Sequence, residues 1–220
     1  MKIENTEVYG LGAAIRSMRN PLDSWGKSDS KWPSDIFEEP FYWSTENANV
    51  ECFLLGDEDK KLSQRLTQAG TEHCKHLRLI QVWADFTLPR FIWQELDTYR
   101  HIEKVSCSTM HTLMKNTITE DMFEGGFLHM SADTIHKLNE LIQLYKCADD
   151  LQEKKQYKYH AKRILPESFL QKRTINTNYQ CLLNIYKQRK NHELPQWQEI
   201  CQWILALPYF KELTGIEGEK

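Results

Sequence analysis

The chain has 220 residues, of which 40% are hydrophobic and 11% aromatic, which excludes an intrinsically disordered polymer. Its 28 basic and 31 acidic residues give a net charge of −3, so the whole chain has no overall attraction for nucleic acid or anionic membranes. No stretch approaches the roughly 18 apolar residues of a membrane helix, and the N-terminus lacks the apolar core of a signal peptide. We expect a cytoplasmic protein that binds neither membrane nor nucleic acid directly.

The cysteines are scattered without a Cys-x-x-Cys pair: Cys52, Cys74, Cys107, Cys147, Cys181 and Cys201. This spacing argues against a zinc ribbon and is typical of reduced thiols in a cytosolic protein. The cluster from Glu72 to His76 offers metal-type donors, but no second matched pair accompanies it, so it is a poor zinc site. No metal is expected.

Turn-forming residues are frequent in residues 1–50, which we expect to form a short helix and a long ordered loop. This segment is expected to pack as an extension on a single domain over residues 51–220. The first helix of that domain is predicted from Asp57 to Gly70, where Asp57 can cap the helix and Gly70 can end it.

The middle of the chain predicts one strand and one helix. Alternation of apolar and polar residues indicates a strand over Leu77–Phe86, closed by Pro89. Apolar residues at helical spacing indicate a helix over Phe91–Tyr99. Arg100 and His101 then fall at the end of this helix or in the turn that follows it.

The C-terminal half is predicted to be mostly helical. Helices are expected over 131–150, capped by Ser131 or Asp133, over 152–163, from 177 or 178 to 189, and over 195–207. The run 152–163 is rich in Lys, Tyr and Gln, and is either a solvated helix face or an electropositive wall. Helices with few strands imply an α+β fold.

No dinucleotide or P-loop glycine motif is present, because Gly125-Gly126 stands alone,. Two separated segments instead combine charged and polar residues: Tyr99-Arg100-His101 with Ser106 and Ser108, and Leu165-Pro166 with Asn178 and Arg189. Arginine suits phosphate or the electron-rich edge of a flavin, and Asn and Ser supply orienting hydrogen bonds. Taken singly, these residues are more typical of a surface arginine, a capping asparagine or a turn serine.

These segments resemble motifs of the flavin-dependent thymidylate synthases, which convert dUMP to dTMP with a flavin as hydride donor. Leu165-Pro166, the stretch Asn178–Leu182 and Arg189 are similar in spacing to the family's Leu-Pro, its N-x-R-S-L stretch and a later arginine. Arg100-His101-Ile102 resembles the start of the R-H-R-x-x-S pattern, and Gly70–His73 resembles the end of the loop G-H-x-S-P-F-E-H. The resemblance covers roughly residues 50–210.

The resemblance implies a helix-rich α+β fold with a small, mostly antiparallel sheet, and a homotetramer that binds FAD and a deoxyuridine nucleotide. NADPH and methylenetetrahydrofolate would be co-substrates. The implied flavin-binding residues are His73, Arg100, His101 and Asn178. The implied catalytic residues, which orient the nucleotide, are Ser106, Ser108 and Arg189, and the implied substrate-binding residues are Tyr99, Gln180 and Arg189.

The sequence departs from the family pattern: the Ser-Pro-Phe portion of the loop is missing, the later Asn-Glu and Arg-Tyr pairs of the hallmark have no clean equivalents, and two arginines are replaced. Gln180 replaces the arginine that grips the nucleotide phosphate, and Ile102 replaces the second arginine of R-H-R. Lys172, Arg173 and Lys187 are candidates to replace the missing charge. The alternatives are a non-catalytic, phage-like descendant that binds a nucleotide or another partner, and an unrelated helical interaction protein.

Overall fold

The computed structural model describes residues 1–32, 42–45, 48–51, 53–127, 130 and 132–216, with the backbone alone at 42–45 and 48–51. The strands are β1 (Lys2–Tyr9), β2 (Tyr42–Thr45), β3 (Ala48–Glu51), β4 (Gln81–Pro89), β5 (Glu103–Ser106) and β6 (Leu170–Asn178). The helices are α1 (Leu11–Met18), α2 (Asp57–Ala69), α3 (Arg90–Leu96), α4 (Thr109–Thr112), α5 (Ala132–Cys147), α6 (Leu151–Ile164), α7 (Tyr179–Arg189), α8 (Pro195–Leu205) and α9 (Phe210–Thr214). The predicted helix-rich α+β fold is confirmed.

The strands form one sheet in the order β2-β3-β1-β4-β6-β5. β2 runs antiparallel to β3, whereas β1 runs parallel to β3 with Val8 opposite Val50. The residues that alternate inward along β4 are almost fully buried, and they are Val82, Ala84, Phe86 and Leu88. Burial of every second residue is the signature of a strand with one face on the core.

The chain divides into two compact units. The smaller comprises Met1–Lys2, Phe86–Thr98 and Val105–Thr174, and the larger comprises Ile3–Asp85, Tyr99–Lys104 and Ile175–Lys220. In the smaller unit, α5 and α6 pack around a core that includes Leu138, Ile142 and Ala161. The most deeply buried large side chains of the larger unit include Trp197, Tyr179, Phe210 and Leu11. The domain boundary at residue 50 stays a prediction.

α2 spans the predicted residues, but the prediction that Asp57 caps it is wrong. Gly56 occupies the cap position and has no side chain to accept a hydrogen bond. The carboxylate of Asp29 instead accepts hydrogen bonds from the backbone N of Glu58 at 3.0 Å and of Asp59 at 3.1 Å. A carboxylate from a distant loop therefore satisfies the free amide groups of this helix.

The next two elements are shifted or shorter than predicted. Lys75–Arg78 form a 3-10 turn, so β4 begins only at Gln81, although Pro89 closes it as expected. α3 ends at Leu96 rather than at residue 99. Tyr99 therefore lies in the following turn, where His101 has a φ of 61°.

The other predicted helices are confirmed with small changes at their ends. Asn178 caps α7, because its Oδ1 accepts a hydrogen bond from Cys181 N at 3.0 Å. α5 ends at Cys147. Of its two predicted caps, Ser131 lies outside the described residues, and Asp133 is not a cap because it lies within the first turn of the helix. No described helix has the length and apolar character needed to cross a membrane. The sequence patterns place no element at β1, β2, β3, β5, β6, α4 or α9.

Candidate functional site

The turn at residues 99–101 is bound to the segment that contains the end of β6 and all of α7. Each of its three residues accepts one hydrogen bond from that segment: Tyr99 Oη from Arg189 Nε at 2.8 Å, Arg100 O from Cys181 Sγ at 3.2 Å, and His101 O from Thr177 Oγ1 at 3.1 Å. The structure therefore brings together the two segments that the resemblance assigns to flavin and nucleotide.

The side chains of Arg100 and His101 are exposed although their backbone is fixed. The left-handed φ of His101 is rare for a residue with a Cβ, and the bond from Thr177 helps to hold it,. Within the described part of the chain, neither side chain makes a hydrogen bond or an ion pair. Ile102 is only 8% exposed, so the second arginine of the family pattern is replaced here by a core residue.

The guanidinium of Arg189 is held by two aromatic rings. It lies 4.6 Å from the ring centre of Trp197 and 5.8 Å from that of Tyr99, and the two rings meet edge to face at 6.2 Å. Trp197 is fully buried. Burial also raises the pKa of the nearby Cys201 thiol to about 11, with the charge of Arg189 opposing the shift. Stacking and the hydrogen bond to Tyr99 together fix the orientation of this charge.

Gln180 lies in the first turn of α7 and is almost fully buried. Its Oε1 accepts a hydrogen bond from Nε of Arg78, an exposed residue of the 3-10 turn before β4. The terminal nitrogens of Arg78 make no hydrogen bond to any described residue. The position that lacks the family's arginine therefore has a guanidinium next to it, supplied by another part of the chain.

Sequence reasoning missed Arg78 and proposed three other cations. Of these, the guanidinium of Arg173 already has other partners. It binds the Asp97 carboxylate at 3.1 and 3.2 Å and lies 4.4 Å from the ring centre of Trp93. Lys172 belongs to the same smaller unit as Arg173, whereas Lys187 belongs to the larger unit with Gln180. No local motif marks Arg78, because its partner lies 102 positions away.

The other two residues predicted to bind the flavin, Asn178 and His73, have different surroundings. Asn178 uses Oδ1 as a helix cap, so only its amide nitrogen remains for a ligand. His73 is exposed on the loop after α2, with Nε2 3.7 Å from the carboxylate of Glu72. His76, three residues on, is buried and bound to Ser63 instead.

The two predicted serines belong to the smaller unit, whereas the other predicted site residues belong to the larger one. Ser106 ends β5 and is exposed. Ser108 precedes α4, where its carbonyl oxygen accepts a 2.9 Å hydrogen bond from Thr112 Oγ1. Their assignment to catalysis stays a prediction.

The larger unit therefore has three arginines around α7: Arg78 lies near its start, Arg189 at its end, and Arg100 in the neighbouring turn. Arg78 and Arg189 are each oriented through Nε by a polar partner, and Arg100 is exposed on a fixed backbone. The guanidinium of Arg78, whose terminal nitrogens bind no described residue, still offers these donors to phosphate or carboxylate,. The chemistry available is the binding of anionic, planar ligands.

Two crystal structures of the flavin-dependent thymidylate synthase ThyX from Helicobacter pylori, both with FAD and dUMP, are similar to this chain. In each case 97% of this chain and 97% of the other are covered. The TM-scores are 0.65 and 0.68 at sequence identities of 19% and 20%. This chain has a ThyX-like fold. The alternative of an unrelated helical fold is thereby excluded.

No protein-family model and no curated protein sequence matches this chain. The likeness to ThyX is therefore one of fold, at a sequence identity of 19–20%. Function depends on the site rather than on the fold. Any function must therefore be argued from the side chains described above.

Proposed function

We propose that this chain binds FAD and a deoxyuridine nucleotide and transfers a one-carbon unit to C5 of the uracil. One observation carries the proposal: the turn at 99–101 is bound to the β6–α7 segment through all three of its residues. This arrangement fixes the backbone of Arg100 and His101 and leaves both side chains exposed for a ligand.

The donor set fits a flavin nucleotide. The exposed guanidinium of Arg100 suits the pyrophosphate or the electron-rich edge of the ring, and the imidazole of His101 and the amide nitrogen of Asn178 supply further hydrogen bonds. We assign His73 to the same role. When bound, FAD would supply the hydride that completes the one-carbon transfer.

The reaction requires two further substrates. Methylenetetrahydrofolate supplies the methylene carbon and NADPH supplies the two electrons that reduce it to a methyl group. With dUMP and one proton, the products are dTMP, tetrahydrofolate and NADP⁺, so atoms and electrons balance. Both co-substrates are part of the proposal.

The nucleotide is assigned to the arginines at the two ends of α7. Arg189, fixed between Tyr99 and Trp197, would orient the nucleotide, and Tyr99 can also stack on a planar ring,. Gln180 would act by holding Arg78, which supplies the charge for the phosphate. Ser106 and Ser108 are proposed to orient the nucleotide by hydrogen bonds.

We further propose that the chain works as a cytoplasmic homotetramer. ThyX-like sites are expected to be shared between subunits, so a monomer would have an incomplete site. Size-exclusion chromatography with light scattering measures this directly. A monomeric protein that still forms dTMP would contradict the assembly while leaving the reaction intact.

A second candidate function is a nucleotide-binding protein without catalysis. The burial of Ile102 and the neutral side chain of Gln180 favour it, because two family cations are absent from their usual positions. Such a protein would bind dUMP, with or without FAD, and would not form dTMP.

The test is the absorbance spectrum of the purified full chain before and after addition of FAD, followed by titration with dUMP. We expect flavin bands that shift when dUMP binds, and dTMP formation when both co-substrates are added. Arg100→Ala should weaken FAD about ten- to a hundredfold, as expected for a lost charge-assisted hydrogen bond. Arg65→Ala, an exposed arginine of α2, is the matched control.

The outcomes separate the two candidates. Binding of FAD and dUMP without dTMP formation supports the non-catalytic protein. Failure to take up FAD at any concentration overturns the flavin assignment. An unchanged FAD affinity in Arg100→Ala would show that the flavin binds elsewhere.

A further inference from the structure

Helix α6 carries an unusual density of positive charge. Its cations are Lys154, Lys155, Lys158, Lys162 and Arg163, against one acidic residue, Glu153. None of these cations forms a salt bridge with a residue in the described part of the chain. A solvated helix face usually mixes charges of both signs, because like charges one turn apart repel and weaken the helix.

The cations share one side of the helix. At about 100° per residue, they fall within roughly half of its circumference, and Glu153 falls outside that half. Lys154, Lys158 and Lys162 follow one another at intervals of four residues, about 6 Å apart along the axis. The lysine row borders the packed side of the helix: Ala161, about 20° from Lys154 around the axis, is fully buried in the core with α5,. Lys154, Lys158 and Lys162 are accordingly half-buried, whereas Lys155, Tyr159 and Arg163 are exposed.

Aromatic rings lie among these cations. Tyr159 is 61% exposed, and the guanidinium of Arg163 lies 5.4 Å from its ring centre. The amines of Lys154 and Lys158 lie 6.0 and 5.6 Å from the ring centre of Tyr145 on α5. We call Lys154, Lys155, Lys158, Tyr159, Lys162 and Arg163 the basic-aromatic face.

This combination matches one class of partner. A row of cations that form no salt bridge with any described residue attracts a phosphate backbone, and an exposed ring beside an arginine offers a stacking surface for an unpaired base. Duplex bases are already stacked on each other and would leave Tyr159 without a partner. Binding to a membrane surface would instead require a wide free apolar face, and the apolar side of α6 already packs against α5,.

We propose that the basic-aromatic face of α6 binds single-stranded nucleic acid, with phosphates along the lysine row and a base on Tyr159. The net charge of −3 gives the whole chain no affinity for polyanions, so binding would depend on this local face. The proposal does not rest on the thymidylate synthase reaction. DNA and RNA share the chemistry recognised here, and the experiment distinguishes them.

The test is fluorescence anisotropy of the full chain with labelled oligothymidylate and oligouridylate of about twenty nucleotides, longer than a site of about 4–16 nucleotides. Titrations run from about 50 to about 200 mM salt, the range over which phosphate contacts weaken strongly. We expect both single strands to bind more tightly than a duplex of equal length. A clear preference for one strand type identifies the source of the ligand.

Two sets of variants locate the binding. The triple variant K155Q/K158Q/K162Q should weaken binding and reduce the salt slope by about 2, because each phosphate contact contributes about 0.7. Its control, K27Q/K190Q/K211Q, removes the same charge from exposed lysines elsewhere and should retain most of the affinity. Tyr159→Ala should weaken the binding of single strands about fivefold or more, whereas Tyr159→Phe keeps the ring and should keep the affinity.

Three results would overturn the proposal. The first is no binding to either strand at low salt by a wild-type chain that is folded by circular dichroism. The second is an equal loss of affinity in both triple variants, which would show that binding depends on the net charge of the chain and not on this face. The third is binding to vesicles of phosphatidylserine and phosphatidylcholine without binding to oligonucleotides, which would assign the face to membranes.

Discussion

The Nε of Arg189 donates a 2.8 Å hydrogen bond to the hydroxyl of Tyr99, joining the end of α7 to the turn after α3. The same guanidinium stacks on Trp197 at 4.6 Å. Because two contacts of different kinds hold it, loss of one leaves the charge in place but less firmly oriented. Substitutions at Tyr99 and Arg189 therefore give a graded test of the proposed nucleotide binding.

We expect Tyr99→Phe to weaken dUMP binding by about tenfold or less, since one hydrogen bond is worth about 0.5–1.5 kcal/mol. Arg189→Lys should cost more, because a lysine amine reproduces neither the planar stacking nor the fork of donors. Isothermal titration calorimetry with dUMP measures both. Tyr159→Phe removes the hydroxyl of an exposed tyrosine on α6 and serves as the control. Equal affinities for Tyr99→Phe and wild type would show that the hydroxyl has no role in binding.

Arg78 gives a test that isolates the phosphate. If Arg78 supplies the charge missing at position 180, Arg78→Ala should weaken dUMP about ten- to a hundredfold and leave deoxyuridine, which has no phosphate, nearly unchanged. Gln180→Ala should have a smaller effect of the same kind, because it frees Arg78 without removing it. Competition binding with the two ligands measures the difference, with Arg65→Ala as the control. A parallel loss for dUMP and deoxyuridine would mean that Arg78 supports the fold rather than the phosphate.

Helix α7 shows which features of the fold and the site could be predicted from the sequence and which could not. Both ends of α7 were predicted, because Asn178 is a strong cap and the apolar spacing up to Arg189 is local,. The contact of Arg78 with Gln180 spans 102 positions and has no local signal. The cap of α2 was predicted wrongly for the same reason, since Asp29 acts from outside the helix.

β1 was missed for a different reason. Of its eight residues, only Thr6 and Val8 are buried, so the strand shows little of the apolar alternation that marks a half-buried strand,. Its place is set by its pairing with a strand some forty positions later, in which Thr6 lies opposite Ala48. Pairing of this kind is a tertiary effect that overrides weak local propensity.

A buried ion pair ties residues 19–30 to α2 and should dominate the stability of this region. Asp59 is fully buried, and its Oδ1 lies 2.6 Å from the Arg19 guanidinium. Its Oδ2 accepts hydrogen bonds from the hydroxyls of Ser28 at 2.6 Å and Ser30 at 2.7 Å. Both oxygens of this carboxylate therefore have partners inside the protein.

We expect Asp59→Asn to lower the free energy of unfolding by about 3–5 kcal/mol, because the charge of Arg19 is left buried without compensation. Urea denaturation followed by circular dichroism measures the change. Asp57→Asn, in the exposed first turn of the same helix, should cost less than about 1 kcal/mol. Similar losses in the two variants would contradict the role assigned to the buried pair.

The buried imidazole of His76 should make the folded chain less stable in acid. Burial lowers the pKa of its imidazole to about 4, well below the usual 6.5. Its Nε2 lies 2.8 Å from the hydroxyl of Ser63, which itself donates to Leu213 O at 2.7 Å, so the ring serves as the donor. Its Nδ1 has no hydrogen-bond partner among the described residues. The folded chain therefore keeps this residue neutral, while the unfolded chain protonates it at a pKa near 6.5.

The sign of the effect follows from proton binding. Between pH 6.5 and pH 4 the unfolded state binds more protons at this residue, so stability falls as the pH falls through this window, by about 3 kcal/mol in total, and is constant above it,. Urea denaturation at several pH values measures the slope. His76→Asn should flatten it, although its stability at neutral pH is lower, whereas His160→Gln, at an exposed position of α6, should keep the slope of the wild type. An unchanged slope in His76→Asn would assign the acid sensitivity to other groups.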